Sequence, residues 1–201
     1  FIGAEGTLGI ITGAVLKLFP LPKKQATCWL NVATPAVAVE LLNSAKAAFD
    51  AQLTAFELVS ETALGLVLKN IPDTARPSAA SPWYVLAEFS DADPAAVEVW
   101  LADRLAAGEV GDGVMAQSEA QAKKLWALRE SISEAQKIEG ISIKHDVAVP
   151  VSRIPEFLAM ADATLEKAFP GVRVVAFGHV GDGNLHYNLS QPDAKKNESF
   201  I

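Results

Sequence analysis

The chain has 201 residues, of which 50% are hydrophobic and 20% charged, a balance typical of a folded globular protein and not of a disordered one. Its 17 basic and 24 acidic residues give a net charge of −7, which argues against a polyanion-binding surface, so no nucleic-acid partner is expected. The only cysteine, Cys28, excludes a disulfide framework and a thiolate zinc cluster and fits a cytoplasmic location, with peripheral association with the inner membrane as the alternative.

The first residues form an apolar run that glycines and charged residues interrupt. Gly3, Gly6 and Gly9 do not match the dinucleotide-binding fingerprint, and a strand-like stretch follows them. Close-spaced glycines let the backbone bend sharply or approach a ligand, and a glycine turn between two strands explains the pattern as well. The run resembles neither a signal peptide nor a membrane-spanning helix. We expect the chain to be an internal piece of a longer protein.

A stiff, polar stretch at 20–24 marks a domain boundary, which divides residues 1–22 from 23–201. After it, strand and helix patterns alternate, and Thr34-Pro35 and Asp93-Pro94 have the N-cap and first-turn proline that start helices. The predicted strands are 27–33, 53–59, 83–89, 114–117, 141–149, 172–177 and 185–189, and the predicted helices are 34–49, 60–69, 93–107, 119–137 and 152–169.

The order of these elements predicts the fold class. Strand, helix, strand occurs at least twice, over 27–59 and 83–117. Together with the further helices and a terminal hairpin, this repetition predicts an α+β fold: an antiparallel sheet with helices on one face, built from duplicated ferredoxin-like units.

The predicted helix 119–137 carries a candidate anion site. Arg129 and Ser133 are four residues apart and therefore on one side of the helix, where a guanidinium and a hydroxyl could hold one carboxylate. A solvated helix face, with Glu130 and Glu134 nearby, is the alternative interpretation.

The predicted strand 141–149 carries a second cation. Lys144 and Asp146 share one face of it, and a lysine on an inner strand needs a partner, either Asp146 or the carboxylate of a substrate. His145 falls on the opposite face among branched aliphatic residues, where we expect a core histidine rather than a ligand.

The predicted hairpin at 172–189 brings two histidines together. If the turn is centred on Asp182-Gly183, His179 lies directly opposite His186, about 4.5–5.5 Å away on the same face, and Asn188 follows on that face. Two imidazoles at this distance could share a divalent ion, for which a third ligand is needed. A surface pair or a packed polar pair explains the spacing equally, and a one-residue slip would separate the two rings.

These motifs occur together and in order, and in that combination the chain resembles the FAD-linked oxidases of the vanillyl-alcohol-oxidase superfamily. Within it, the resemblance is to the group of D-2-hydroxyacid dehydrogenases that act on D-lactate, glycolate or D-2-hydroxyglutarate. The motifs that carry the resemblance are GAEGTLGIIT from Gly3, RESIS from Arg129, KHDVAVP from Lys144 and GHVGDGNLH from Gly178.

The resemblance implies a role for particular residues. Glu5, Gly6, Gly9, Ile11 and Thr12 would contact FAD at the end of the FAD-binding domain, which residues 1–22 would close. His179 and His186 would bind a divalent metal, which is usually zinc in this family. Arg129, Ser133, Lys144 and Asn188 would hold the substrate.

The implied reaction is the oxidation of a D-2-hydroxyacid to a 2-oxoacid, with a quinone, a cytochrome or an electron-transferring flavoprotein as electron acceptor. The family's metal-binding glutamate and general-base histidine are expected after Ile201, and most of the FAD domain before Phe1, so no catalytic residue is assigned within the chain. We therefore expect the chain alone to be inactive and to bind no stoichiometric FAD, which a flavin absorbance band in the purified chain would contradict.

Two other functions use the same histidines. A metal-binding structural module needs only a third ligand, and a metallohydrolase would use the pair to activate water. Neither explains the glycine run or the placement of Arg129 and Lys144. A homodimer is compatible with the sequence, which does not decide the oligomeric state.

Overall fold

A computed structural model of the chain describes residues 6–18 and 20–191. Segment 6–18 contains no helix or strand, so the strand expected after the glycines is absent from it. The strands are β1 (Gln25–Val32), β2 (Leu53–Ser60), β3 (Trp83–Ser90), β4 (Asp112–Met115), β5 (Ser142–Ile143), β6 (Asp146–Ala148), β7 (Arg173–His179) and β8 (Asn184–Ser190). The α-helices are α1 (Pro35–Phe49), α2 (Glu61–Asn70), α3 (Pro94–Ala106), α4 (Glu119–Glu130), α5 (Ile132–Glu139) and α6 (Ile154–Ala168).

Side-chain caps start the helices where the sequence predicts them. The Thr34 hydroxyl accepts a hydrogen bond from Val37 N at 3.3 Å, and the Ser60 hydroxyl accepts one from Ala63 N at 3.3 Å. Each cap pairs an N–H group that has no partner inside its helix. Both α1 and α3 also have a proline in the first turn, where its missing N–H costs nothing. These starts are therefore set by local sequence.

The strands form one antiparallel sheet with the order β4-β1-β3-β2-β7-β8-β5, and β6 also pairs with β8. The first four strands, with α1 and α3 as the crossovers, make a ferredoxin-like unit. The order β7-β8-β5 repeats the order β2-β3-β1 of the first unit, with α6 as the crossover. The duplicated ferredoxin-like arrangement is thus present, and β2 and β7 join the two units.

Helices cover both faces of the sheet, not the one face that we predicted. The crossover helices α1, α3 and α6 pack with Leu30 and Phe89 on one face. The additional helices α2, α4 and α5 pack with Trp29 and Phe177 on the other. Because neighbouring residues such as Trp29 and Leu30 are both large and apolar, each face needs a covering layer. No helix among the described residues is long and apolar enough to cross a membrane.

The structure divides two of the predicted elements. The predicted helix 119–137 consists of α4 and α5, which meet at Ser131, and the predicted strand 141–149 consists of β5 and β6, which are separated at 144–145. Both parts of the divided strand pair with β8 in the same register. The interruption therefore changes the backbone locally without moving a side chain to the other face.

A buried carboxylate fixes the end of α5. Glu139 accepts hydrogen bonds from Lys69 at 3.0 Å, from Asn70 at 3.0 Å and from Arg173 at 2.8 Å, which joins α5 to α2 and β7. Burial alone would raise the pKa of Glu139, but the bonds from Asn70, Arg173 and Lys69 outweigh it and lower the pKa from 4.5 to about 2.

This lowered pKa predicts a loss of stability in acid. Because the folded-state pKa of Glu139 lies below the ordinary value, its contribution is complete above about pH 4.5 and disappears as the pH falls towards 2. We expect Glu139→Gln to reduce the free energy of unfolding at pH 7 by about 2–3 kcal/mol, and the difference from the unsubstituted chain to shrink in acid. Urea unfolding at several pH values measures both effects.

Glu134→Gln is the matched control, because Glu134 lies on the same helix but is exposed and, among the residues that the structure describes, is paired only with Lys137. This change should alter the free energy of unfolding by less than about 0.5 kcal/mol. Equal effects of the two substitutions would contradict the special role of Glu139.

Candidate functional site

Alternate residues of β2, β7 and β8 place the candidate site on the face of the sheet that α4 covers. In the strand registers, Glu57 lies opposite His179, and Phe177 lies opposite His186. Their side chains therefore point to the same face. Asn188 follows two residues after His186 on that face, as predicted.

Glu57 is the centre of this face. Its Oε2 accepts a hydrogen bond from Arg129 Nε at 2.8 Å, and its Oε1 is hydrogen-bonded to Nδ1 of His179. The Glu57 side chain is only 4% exposed, so its charge is desolvated and depends on these two partners. Glu57 is not among the site residues that the sequence predicts. The signal was present, because Glu57 is the only charged residue in the predicted strand 53–59.

The two histidines lie on the same face but are not directly opposite each other. His179 pairs with Asn184, and His186 with Phe177, so the predicted register was wrong by two residues. A shift of two preserves the face, and the ring centroids of His179 and His186 are 6.2 Å apart. The inference that the two rings share one surface therefore survives the correction.

Each of these imidazoles is held at Nδ1 by a carboxylate. His179 Nδ1 is bonded to Glu57, and His186 Nδ1 lies 2.5 Å from Oδ1 of Asp146. Because an ionised carboxylate can only accept, the Nδ1–H of each ring is the donor, which leaves Nε2 as the nitrogen that a metal could use. Metal-binding histidines commonly have this arrangement. The two rings thus fit as two ligands of a divalent metal.

A third ligand is not found. In the described ranges, no group of three or more histidine, cysteine, aspartate or glutamate side chains is placed to hold a metal ion. The remaining histidine, His145, was expected in the core but is exposed, with Nδ1 3.1 Å from the carbonyl oxygen of Tyr187. The part of the chain that the structure describes therefore offers an incomplete donor set.

The turn between β7 and β8 explains the shifted register. The loop 180–183 is centred on Gly181-Asp182 and not on Asp182-Gly183 as predicted, and it contains a 3₁₀ turn at Val180–Asp182 in which Val180 is buried. Gly183 has a φ of 82°, and a Cβ at this position would lie 2.1 Å from the carbonyl oxygen of Val149. Glycine is required at 183 because the neighbouring backbone occupies the space that a side chain would need.

Arg129 is buried with part of its guanidinium unpaired. The guanidinium carbon lies 4.7 Å from the ring centroid of Phe177, and Nε is bonded to Glu57. The Nη atoms have no hydrogen-bond partner among residues 6–18 and 20–191, so they are available to a carboxylate. The structure does not pair Arg129 with Ser133, because Ser133 belongs to the next helix, α5, and is exposed.

Lys144 and Asn188 differ in their surroundings. Lys144 is exposed between β5 and β6 and has no ion pair within the described part of the chain. Asn188 is buried: its Oδ1 accepts a hydrogen bond from His145 N at 3.0 Å, and its Nδ2 donates one to Gln136 at 3.0 Å. Asn188 thus joins the segment between β5 and β6 to α5, on the face of the sheet that carries the site.

The predicted cofactor residues that the structure describes lie in a segment without helix or strand. Gly6, Gly9, Ile11 and Thr12 belong to segment 6–18, in which every residue is exposed, and Glu5 lies outside the described residues. Gly6 and Gly9 have φ values of 80° and 143°, which side chains rarely allow. Exposed apolar residues such as Ile11 suggest a surface that another molecule or another part of a polypeptide covers.

A cleft of about 440 Å³ opens beside His179. Its lining includes Lys46, Glu57 and Trp126, and the Lys46 ammonium donates a hydrogen bond to the carbonyl oxygen of Gly181 at 3.1 Å. The volume is in the range of small-molecule sites. The cleft can therefore present the His179 imidazole to a ligand of a few carbon atoms, while Arg129 and His186 are not among its lining residues.

Comparison with known proteins gives one family. Residues 21–199 match the family described as FAD linked oxidases, C-terminal domain. The chain is 42% identical over 206 residues to D-2-hydroxyglutarate dehydrogenase of Xanthomonas citri pv. viticola, with 100% of this chain and 42% of that protein covered. The mitochondrial D-2-hydroxyglutarate dehydrogenase of Bos taurus is 33% identical, with 94% and 35% covered. The chain thus spans less than half the length of these relatives.

Solved structures share the fold. A crystal structure of p-cresol methylhydroxylase with substrate bound matches 89% of this chain and 40% of that chain, with a TM-score of 0.57 and 14% identity. Alkyldihydroxyacetonephosphate synthase matches 93% and 40%, with a TM-score of 0.56 and 20% identity. At these identities the likeness concerns the fold alone.

The surroundings of Gly183 and Gly65 predict opposite effects when each glycine is replaced by alanine. Gly183→Ala forces a Cβ against a backbone oxygen and should lower the free energy of unfolding by at least about 2 kcal/mol. Gly65→Ala is the control: a Cβ there meets nothing within 4 Å inside α2. The control should raise the free energy of unfolding by about 0.5–1 kcal/mol. Urea unfolding measures both, and an unchanged stability of Gly183→Ala would contradict the turn.

Proposed function

The chain belongs to the FAD-linked oxidase family, to its C-terminal domain, and on this basis we propose that it is the substrate-holding part of a flavin-dependent dehydrogenase for D-2-hydroxyacids. The observation that carries the proposal is the common sheet face on which Arg129, His179 and His186 meet around Glu57. In the proposed division of the chain, residues 1–22 close an FAD-binding domain and residues 23–201 belong to the substrate domain.

D-2-hydroxyglutarate is the first candidate substrate, since the relatives at 42% and 33% identity carry its name. It has two carboxylates, and the face offers two cations. The free Nη edge of Arg129 can bind one carboxylate in a bidentate pair, and the unpaired ammonium of Lys144 can attract the other. Ser133 and Asn188 remain proposed neighbours of the substrate.

The imidazoles would hold a divalent metal, which we propose to be zinc. The donor set fits in one respect, because the carboxylates of Glu57 and Asp146 leave both Nε2 atoms free to bind. A metal there supplies Lewis-acid chemistry that lowers the pKa of a bound hydroxyl group. The chain's own residues would fix the position of the substrate's hydroxyl and carboxylate and so orient the Cα–H bond.

FAD supplies the redox chemistry, as the acceptor of the hydride. From this chain, Glu5, Gly6, Gly9, Ile11 and Thr12 are the proposed contacts, and the positive φ values of Gly6 and Gly9 are consistent with a backbone that approaches a ligand closely. The electron acceptor stays a prediction, whether it is a quinone, a cytochrome or an electron-transferring flavoprotein. The cytoplasmic location and the possibility of a homodimer also stay predictions. So does the inactivity of the chain on its own.

A metallohydrolase or a metal-binding structural module uses the same histidines without flavin. The family match supports the oxidoreductase instead, and neither alternative uses the buried Arg129. A hydrolase would also turn over an ester or amide with no electron acceptor present. Assays of the full-length protein with D-2-hydroxyglutarate, D-lactate and glycolate, each with an artificial acceptor, test the proposed function directly.

The metal-binding role predicts the effect of removing one imidazole. In the full-length protein, His179→Ala should abolish zinc content and turnover while FAD stays bound, because His179 is a proposed metal ligand and is not among the proposed FAD contacts. Elemental analysis, turnover and the flavin absorbance measure the three properties. His145→Ala is the control, since His145 is exposed outside the site, and it should retain zinc. Zinc and turnover retained in His179→Ala would remove the hairpin from the mechanism.

A carboxylate-binding role for Arg129 predicts the effect of replacing its guanidinium with an ammonium group. Arg129→Lys keeps the charge but loses the bidentate geometry and the Nε bond to Glu57. We expect kcat/KM for the best substrate of the panel to fall about 10²-fold, which corresponds to ~3 kcal/mol. Arg104→Lys, whose arginine pairs with Glu109 on the other face, is the control and should change kcat/KM less than about twofold. Equal values for both variants would exclude Arg129 from substrate binding.

A further inference from the structure

The geometry points to Glu57 as a positioning residue that makes the metal-binding and carboxylate-binding halves of the site depend on one buried side chain. This inference rests on the proposed function, since it assigns Glu57 to the same site. We infer that Glu57 fixes the tautomer and the orientation of His179, and at the same time the orientation of the Arg129 guanidinium.

The two bonds of Glu57 use different oxygen atoms. Oε2 accepts from Arg129 Nε at 2.8 Å, and Oε1 is bonded to His179 Nδ1. Glu57 and His179 are also directly opposed in the β2–β7 register, so the backbone brings them together. One carboxylate therefore connects α4, β2 and β7, which come from both ferredoxin-like units.

The chemistry of the two partners explains what Glu57 does. A carboxylate has acceptors only, so it can satisfy two donors at once, here the Nδ1–H of His179 and the Nε–H of Arg129. Protonation at Nδ1 leaves the lone pair on Nε2, the atom that a metal needs. Engagement of Nε turns the remaining Nη edge of the guanidinium away from Glu57, towards a ligand.

Asp146 provides an internal comparison. It also bonds an Nδ1 atom, that of His186, but its side chain is 73% exposed, whereas that of Glu57 is 4% exposed. Solvent can replace the bond of Asp146, and the bond serves only one partner. Solvent cannot replace the bonds of Glu57 in this way, because its side chain is buried. The two carboxylates should therefore differ strongly in their effect on the metal.

Replacement by glutamine separates the two duties of Glu57. An amide has one acceptor oxygen and one donor nitrogen, so glutamine can satisfy Arg129 or His179 but not both. The charged guanidinium makes the stronger bond and takes the oxygen. The amide N–H then faces Nδ1 of His179, which must become the acceptor, and the imidazole proton moves to Nε2. A ring in this tautomer must first move its proton from Nε2 before that atom can bind a metal, which weakens metal binding.

The test uses the full-length protein with bound FAD and zinc as the metal probe. In Glu57→Gln, we expect the dissociation constant for zinc to rise about 10- to 100-fold, with FAD retained. Asp146→Asn, the matched control, should raise it by less than about threefold.

A spectroscopic signature separates positioning from a merely structural role. In zinc-free protein with ¹⁵N-labelled histidines, the proton of His179 should lie on Nδ1, and in Glu57→Gln it should lie on Nε2. The measurement on the unsubstituted protein decides the question even where Glu57→Gln does not fold. A proton on Nε2 of His179 there would overturn the inference.

The failure of this inference can be told from the failure of the proposed function. If His179→Ala loses zinc but Glu57→Gln binds zinc within about twofold of the unsubstituted protein, only the role of Glu57 is overturned. If His179→Ala retains zinc, the proposed metal site itself is overturned. A loss of zinc in Asp146→Asn as large as in Glu57→Gln would also overturn the distinct role of Glu57.

Discussion

A negative charge buried in the middle of a sheet must be compensated, and in this chain that requirement organises the site. The carboxylate of Glu57 is almost fully desolvated, so it is stable only while Arg129 and His179 both donate to it. Because these partners lie on α4 and β7, the need to pair one charge brings together elements that are far apart in sequence. A packed apolar residue at 57 would remove the cost of desolvation, so retaining a charge there suggests a use beyond stability.

The two layers of helices serve different purposes. The crossover helices α1, α3 and α6 complete the ferredoxin-like units on one face of the sheet. The additional helices α2, α4 and α5 cover the other face but leave the site open next to β7 and β8. Polar contacts such as those of Glu139 hold these helices in place. The face that carries the polar site is thus bounded by helices whose ends are fixed by hydrogen bonds as well as by apolar packing.

The fold alone does not specify the chemistry. The chain shares its architecture with flavoproteins of low sequence identity whose names describe other reactions. The chemistry comes from side chains gathered over one face of the sheet: the guanidinium of Arg129 from α4, stacked on Phe177, and two imidazoles that are each held by a carboxylate. Such a set suits an anionic substrate with an oxygen to be polarised, and it supports the proposed function more than the fold does.

The sequence by itself determined the order and type of most of the elements, because caps, turn residues and alternation act between near neighbours. It placed both imidazoles on one face, and this survived a register error, since a shift of two keeps every side chain on its face. The second layer of helices, the break at Ser131 and the partners of Glu57 were decided only in three dimensions. These features depend on which distant surfaces pack together and on which charge is then buried, and no local pattern contains that information.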